Sequence, residues 1–197
     1  MSLNHFQKRS QRFILSVDIG QVRDYTALTM IEPVDEEYHV GLIERLPLGT
    51  PYPVVVERIK ALMTHEYYVG KTVLLADRTG VGVGVTDMMV AAGMVPIGIT
   101  ITGGQDIGQN IQDYTVPKRN LVMALTLAFQ KKKLKIQKDL AFVDILKEEI
   151  QNFRYEITET GRESYNARSG THDDLLLSLA IGVWYLESGY SESQIFL

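Results

Sequence analysis

The stretch Phe13-Ile14-Leu15-Ser16-Val17-Asp18-Ile19-Gly20 decides the fold. An apolar run leads into a carboxylate and then a glycine, which is how a buried strand ends at a turn. The arrangement recurs at Val73-Leu74-Leu75-Ala76-Asp77, followed by Arg78-Thr79-Gly80. Asp173 and Asp174 open a third apolar stretch, Leu175 to Ile181. Open α/β sheets place their sites at the carboxyl ends of neighbouring strands, and a carboxylate at a helix start can face the same point. Such a cluster is unstable alone, because like charges raise one another's pKa. Divalent cations relieve it, and an all-oxygen ligand set favours Mg²⁺ or Mn²⁺. Two such ions about 3.5–4 Å apart suit phosphodiester cleavage.

Outward from these runs, residues 12–18, 26–32 and 38–46 read as strands joined by short turns, an antiparallel meander. Residues 51–68 carry apolar positions at Val55, Ile59, Leu62 and Met63, a helical period. Residues 72–77 read as a strand, 84–92 as a helix and 95–101 as a strand, a βαβ crossover whose strands are parallel. Residues 102–115, rich in Gly, Gln, Asp and Asn, read as a mobile loop. Residues 117–130 read as a helix with proline in its first turn. Residues 139–153 read as another, with Asp139 as N-cap. Residues 154–157 and 163–166 flank a turn and read as a β-hairpin. Thr171 or His172 precedes the last helix, which runs to about Glu187. The order βββαβαβα is the ribonuclease-H-like layout. It predicts an α/β fold with a mixed five-stranded sheet, order 3-2-1-4-5, flanked by helices, with the added hairpin near 154–166. Strands one and four are then neighbours, which brings Asp18 to Asp77. The 197 residues suit one domain, 1–197, with its core at about 12–187.

The residues that carry these elements resemble a known family. Val17-Asp18-Ile19-Gly20, continuing to Ala27, and Ala76-Asp77-Arg78-Thr79-Gly80-Val81-Gly82 resemble the first two nuclease motifs of phage large terminase subunits. Val116-Pro117-Lys118-Arg119-Asn120-Leu121 is similar to a short stretch of that family, and His172-Asp173-Asp174 to Ala180 resembles its last motif. The resemblance implies a C-terminal nuclease domain of the RNase H-like and RuvC-like superfamily, an endonuclease that cuts concatemeric viral DNA during genome packaging. It implies two divalent metals, with Asp18 between them, Asp77 and Asp174 on either side, and Asp173 in a secondary role. Adjacent helix residues diverge by about 100°, so at most one of Asp173 and Asp174 is a primary ligand; the resemblance favours Asp174. The implied partners are double-stranded DNA, a terminase ATPase domain, the small terminase subunit and the portal, in the cytoplasm of a bacterial host. Full-length members also carry an ATPase, and the present residues read as the nuclease part alone.

Other readings fit these residues less well. Gly70-Lys71-Thr72 is no P-loop, since His65 stands where glycine is needed. Gly80, Gly82 and Gly84 have the wrong spacing for a dinucleotide fingerprint and instead read as a tight strand-to-helix turn. An actin-like or sugar-kinase ATPase would share the Asp-x-Gly strand end but needs two such domains. A RuvC-like junction resolvase and a non-catalytic docking module of a packaging motor are the remaining alternatives. Asp24 reads as a turn residue rather than a further site carboxylate, Asp87 and Asp113 as solvated, and His172 as part of a helix-capping neighbourhood rather than a group beside a metal or the scissile phosphate.

Composition bounds the rest. There is no cysteine, hence no disulfide or thiolate site. No apolar run approaches the roughly 20 residues that span a bilayer. The formal net charge of −4 argues against non-specific DNA binding by the whole surface. Local basic patches must then hold DNA, and the candidates are Lys118, Arg119, Lys131, Lys132 and Lys133, with Arg162 and Arg168 near the hairpin. Lysines there also suit a solvated helix end.

Overall fold

The computed structural model describes residues 12–20, 24–111, 113–157, 163–167 and 172–189, with backbone alone for 154–157 and 163–167. Three antiparallel strands open the chain: β1 (Phe13–Asp18), β2 (Ala27–Val34) and β3 (Glu37–Arg45). Helix α1 (Tyr52–Thr64) leads to β4 (Thr72–Asp77), and α2 (Gly82–Ala91) to β5 (Ile97–Thr102). Then come β6 (Gly108–Gln109), β7 (Asp113–Pro117), α3 (Lys118–Gln130), β8 (Leu134–Ile136) and α4 (Val143–Asn152). The hairpin β9 (Phe153–Ile157) and β10 (Glu163–Ala167) precedes α5 (Asp174–Glu187).

The expected order 3-2-1-4-5 lies inside a wider sheet, β6-β7-β5-β4-β1-β2-β3-β8. β4 pairs parallel with β1 and with β5, as the crossover requires. The expected hairpin is present, β9 against β10. Two expectations need correction. The stretch read as a loop, 102–115, contains β6 and the start of β7, which lies parallel on β5. Its strand signal is only Tyr114 and Val116, buried on alternate positions among polar residues. The helix read from Asp139 begins at Val143, behind Phe142 in a left-handed conformation (φ 62°), so Asp139 caps nothing.

The period of two along each strand divides the core. Phe13, Leu15 and Val17 of β1 join Leu74 and Ala76 of β4 beneath α1 and α2. Ile14, Val73 and Leu75 point to the opposite face, where α5 lies across β1 and β2 with α3 and α4 outside it. From Asp174 to Tyr185 every residue of α5 is buried, which explains its near-continuous apolar sequence. Polar groups fix where this helix sits. Ser16 Oγ is 2.8 Å from Thr29 Oγ1, Thr29 Oγ1 is 3.2 Å from Ser178 Oγ, and Ser178 Oγ donates to the Ser16 carbonyl oxygen at 2.9 Å. Each such bond contributes on the order of 1 kcal/mol net, and together they allow one helix position. One turn on, Gly182 lets the helix close on the sheet. A Cβ there would lie 2.7 Å from Ile31 Cδ1 and 2.9 Å from Ser16 Oγ.

Candidate functional site

Asp18 and Asp77 end adjacent parallel strands, and both follow the alternation of Ile14, Ser16, Val73 and Leu75 onto the α5 face. Asp174 belongs to the same helix row as Ser178 and Gly182, four and eight residues on, and that row meets β1. The helix therefore lowers Asp174 toward the strand ends. Asp18, Asp77 and Asp174 are all buried.

Tight backbone turns hold two of these carboxylates. Asp77 Oδ1 accepts the Thr79 N–H at 2.7 Å and the Thr79 hydroxyl at 2.6 Å. Thr79 Oγ1 accepts the Ile101 N–H at 2.9 Å, which ties the turn to β5. Behind it a Cβ on Gly82 would lie 2.2 Å from the Asp77 carbonyl oxygen, so only glycine fits. This is the strand-to-helix turn expected from the glycine spacing. Gly20 is equally restricted by the Asp24 carbonyl oxygen, at 2.3 Å from a Cβ. Its bare Cα lets the backbone of Asp24 and Tyr25 pack against the end of β1.

The electrostatics are those of crowded acids. Burial holds the Asp18 carboxyl well above its usual range, and Asp77, Asp174 and Asp173 push it further; it shares a hydrogen bond with Asp77. Asp77 is also raised by burial, against the bonds from Thr79. Asp174 is raised to about 6, chiefly by burial, with His172 opposing and Asp173 and Asp24 adding to it. Glu149 on α4 is raised to about 7 by burial, opposed by the Leu176 N–H.

Asp24 and His172 stand at this site, the less favoured of the two readings that the sequence offered for each. One ligand atom from each of Asp24, His172 and Asp174 falls within 4.8 Å of the others. His172 Nδ1 is 3.6 Å from Asp174 Oδ2, and its ring meets Tyr25 edge-on at 4.9 Å. Asp24 stands at a turn six residues after Asp18, and only the fold reveals what it faces. Asp174 Oδ2 is buried with no hydrogen-bond partner among the described residues. A buried, unpartnered carboxylate oxygen among further carboxylates and one imidazole is a donor set that fits a hard divalent cation.

Asp173 points elsewhere, accepting from Lys118 Nζ at 2.9 Å. Lys118 opens α3 and also lowers the Asp77 carboxyl, so it stands beside the cluster. Arg119 donates to the Gln105 carbonyl oxygen at 2.9 Å. The lysines at 131–133 are not brought to the carboxylates. Lys133 bonds Glu187, at the far end of α5 from Asp174, about 20 Å along the axis. Arg162 and Arg168 lie outside the described residues. Asp113 is not simply solvated: it pairs with Arg78 and accepts the Gly98 N–H at 2.9 Å.

No family model matches the chain. It is 25% identical over 169 residues to the large terminase subunit of Thermus phage G20c, and equally to that of Thermus virus P23-45. Each alignment takes in 86% of this chain and 30% of the relative, so the chain spans under a third of their length. The crystal structure of the large terminase nuclease from phage G20c superposes with a TM-score of 0.67 at 22% identity, covering 89% of this chain and 82% of that one. The chain is a relative of the phage large terminases and has the fold of their nuclease domain. The large terminase of a further thermophilic bacteriophage shares that fold at a TM-score of 0.66 and 11% identity, over 88% of this chain and 39% of that protein. The G20c nuclease has also been crystallised with cobalt and with magnesium. Among the described residues no helix is long and apolar enough to cross a membrane.

Proposed function

We propose that this chain is a metal-dependent DNA endonuclease that cuts concatemeric viral DNA during genome packaging. The observation that carries the reading is the convergence of Asp18, Asp77 and Asp174 at one sheet end, with Asp174 Oδ2 buried and unpartnered among the described residues. Buried acids so close either bind protons or a cation. Asp18, Asp77 and Asp174 would hold two Mg²⁺ or Mn²⁺ ions, with Asp24 and His172 beside Asp174. Bound there, the pair would supply Lewis acidity and neutralise charge developing at the phosphate.

The chain's own residues would do the rest. Thr79 fixes one oxygen of Asp77 and leaves the other to face the site. Lys118 would meet the phosphate from the α3 side, and Arg119 beside it would track the backbone. Asp173 would act by holding Lys118. The substrate is double-stranded DNA in the host cytoplasm. The partners are an ATPase domain, a small terminase subunit and a portal. The longer thermophilic-phage large terminase that shares this fold has been crystallised with ADP and with ATP-γ-S, which supports an ATPase next to the nuclease fold in that protein.

The test is plasmid cleavage by the purified chain with Mg²⁺, Mn²⁺ or EDTA, beside an ATP hydrolysis assay. Nicking and linearisation with metal, none with EDTA and no ATP turnover are expected. ATP hydrolysis without cleavage would overturn the reading.

A further inference from the structure

We infer that Glu149 is a positioning residue of this site, setting Asp174 by two separate routes from a different helix. The inference rests on the cation-site reading above. Glu149 is 5% exposed, a charge on α4 where an apolar residue would otherwise pack.

The first route is through the helix start. Glu149 Oε2 accepts the Leu176 N–H at 2.9 Å. Leu176 is the third residue of α5, so this N–H has no partner within its own helix. Asp173, the N-cap, makes no side-chain cap bond, and its carboxylate is held by Lys118. The helix that carries Asp174 thus takes its cap from α4.

The second route passes through Arg45. Glu149 Oε1 has no hydrogen-bond partner among the described residues, and Arg45 Nη1 lies 3.6 Å away. The Arg45 guanidinium lies 4.0 Å from the Tyr25 ring centroid. Tyr25 meets His172 with its ring, and its backbone favours the charged form of Asp174. Both routes converge on Asp174. A neutral acceptor would cap Leu176 without a further charge beside two aspartates; the carboxylate is what holds Arg45 over Tyr25. Partners that orient a metal ligand from behind typically change affinity or activity by about 10–100-fold when removed.

The test is Mn²⁺ binding by the full chain, followed by calorimetry and by the EPR spectrum of the bound ion, well below each variant's melting temperature. Glu149→Ala should weaken binding by about 10–100-fold and speed amide exchange at Leu176. Glu149→Gln keeps the acceptor for Leu176 and should lose less affinity, with exchange near wild type. Arg45→Met tests the second route alone and should also weaken binding. If Glu149→Ala does not fold, Glu149→Gln and Arg45→Met decide. Folded variants with wild-type affinity and spectrum would overturn the positioning role, even if their melting temperatures fall. A wild-type chain that takes up no Mn²⁺ would overturn the cation-site reading and this role together.

Discussion

Ser178 Oγ donates to the Ser16 carbonyl oxygen at 2.9 Å, and this contact decides which acid of the last helix faces the sheet. Ser178 lies one turn beyond Asp174, so the two side chains leave the helix on the same side. Fixing Ser178 to β1 turns Asp174 toward Asp18, and the neighbouring Asp173 is rotated toward Lys118. The different surroundings of two adjacent aspartates thus follow from a buried hydroxyl four residues away.

Gly182→Ala tests that geometry. The added methyl would meet Ile31 and Ser16 within 3 Å, so α5 must lift or rotate. Overpacking of this kind costs about 1–3 kcal/mol. A melting temperature lower by several degrees and a loss of metal-dependent cleavage greater than the loss of stability at assay temperature are expected. A variant with wild-type melting and cleavage would show that the helix is not held where described.

Asp18→Asn should abolish plasmid cleavage with the fold intact, because the amide keeps the shape but not the charge. Without metal its melting temperature should equal or exceed the wild type, since repulsion with Asp77 and Asp174 is relieved. Cleavage at wild-type rate would sink the two-ion proposal.

Much of this was legible in the sequence, for identifiable reasons. β1 and β4 announced themselves because each is an apolar run halted by aspartate and followed within three residues by glycine. The length of α5 was plain because a helix buried on all sides has no polar face to blur it. β7 and β8 were hidden: β7 shows only Tyr114 and Val116 as a strand pattern beside polar residues, and β8 is three residues beside a lysine run. Asp139 imitates an N-cap, yet the chain turns through Phe142 before helix begins. Asp24 and His172 could not be joined from sequence, since local pattern at either one says nothing of the other. Charge composition likewise cannot say which end of a sheet a lysine run occupies.

Asp174→Ala should damage cleavage more than Asp173→Ala, because Asp174 is the buried residue with an unpartnered oxygen among the described residues. Asp24→Asn should fall between wild type and Asp174→Ala, as an exposed member of the same cluster. Rates against Mn²⁺ concentration would separate the three. Equal losses at 173 and 174 would show that both are ligands.

The metal-free chain should become more stable as pH falls from 8 to about 5.5. Glu149 and Asp174 have folded pKa values raised to about 7 and about 6. The folded state therefore binds more protons than the unfolded state in this window, and its stability is lost as pH rises. A gain on the order of 2 kcal/mol, about 4–8 °C in Tm, is expected. Saturating Mg²⁺ needs the deprotonated acids, so its stabilising shift should be larger at pH 8 than at pH 5.5. Calorimetric scans with EDTA and with Mg²⁺ check both signs. A metal-free Tm that rises with pH through this window would show that the acids are not crowded.

Lys118→Ala/Arg119→Ala should lower cleavage by about tenfold or more, the worth of one or two charge-assisted bonds to phosphate at about 1.5–3 kcal/mol each. It should also flatten the dependence of binding on salt, by roughly 0.9 in log–log slope for each phosphate of duplex DNA no longer neutralised. Replacing Lys131, Lys132 and Lys133 by alanine should change neither much, because Lys133 is engaged with Glu187 at the opposite end of α5 from Asp174. Removing Lys118 has a second consequence that separates its role from simple attraction for DNA. The ammonium neutralises Asp173 beside the cluster, so its loss should tighten Mn²⁺ binding while cleavage falls. A nicking assay across a salt series, with Mn²⁺ titrations of the same proteins, reads both effects. If the triple lysine variant loses more activity than the 118/119 pair, DNA crosses the other end of this sheet.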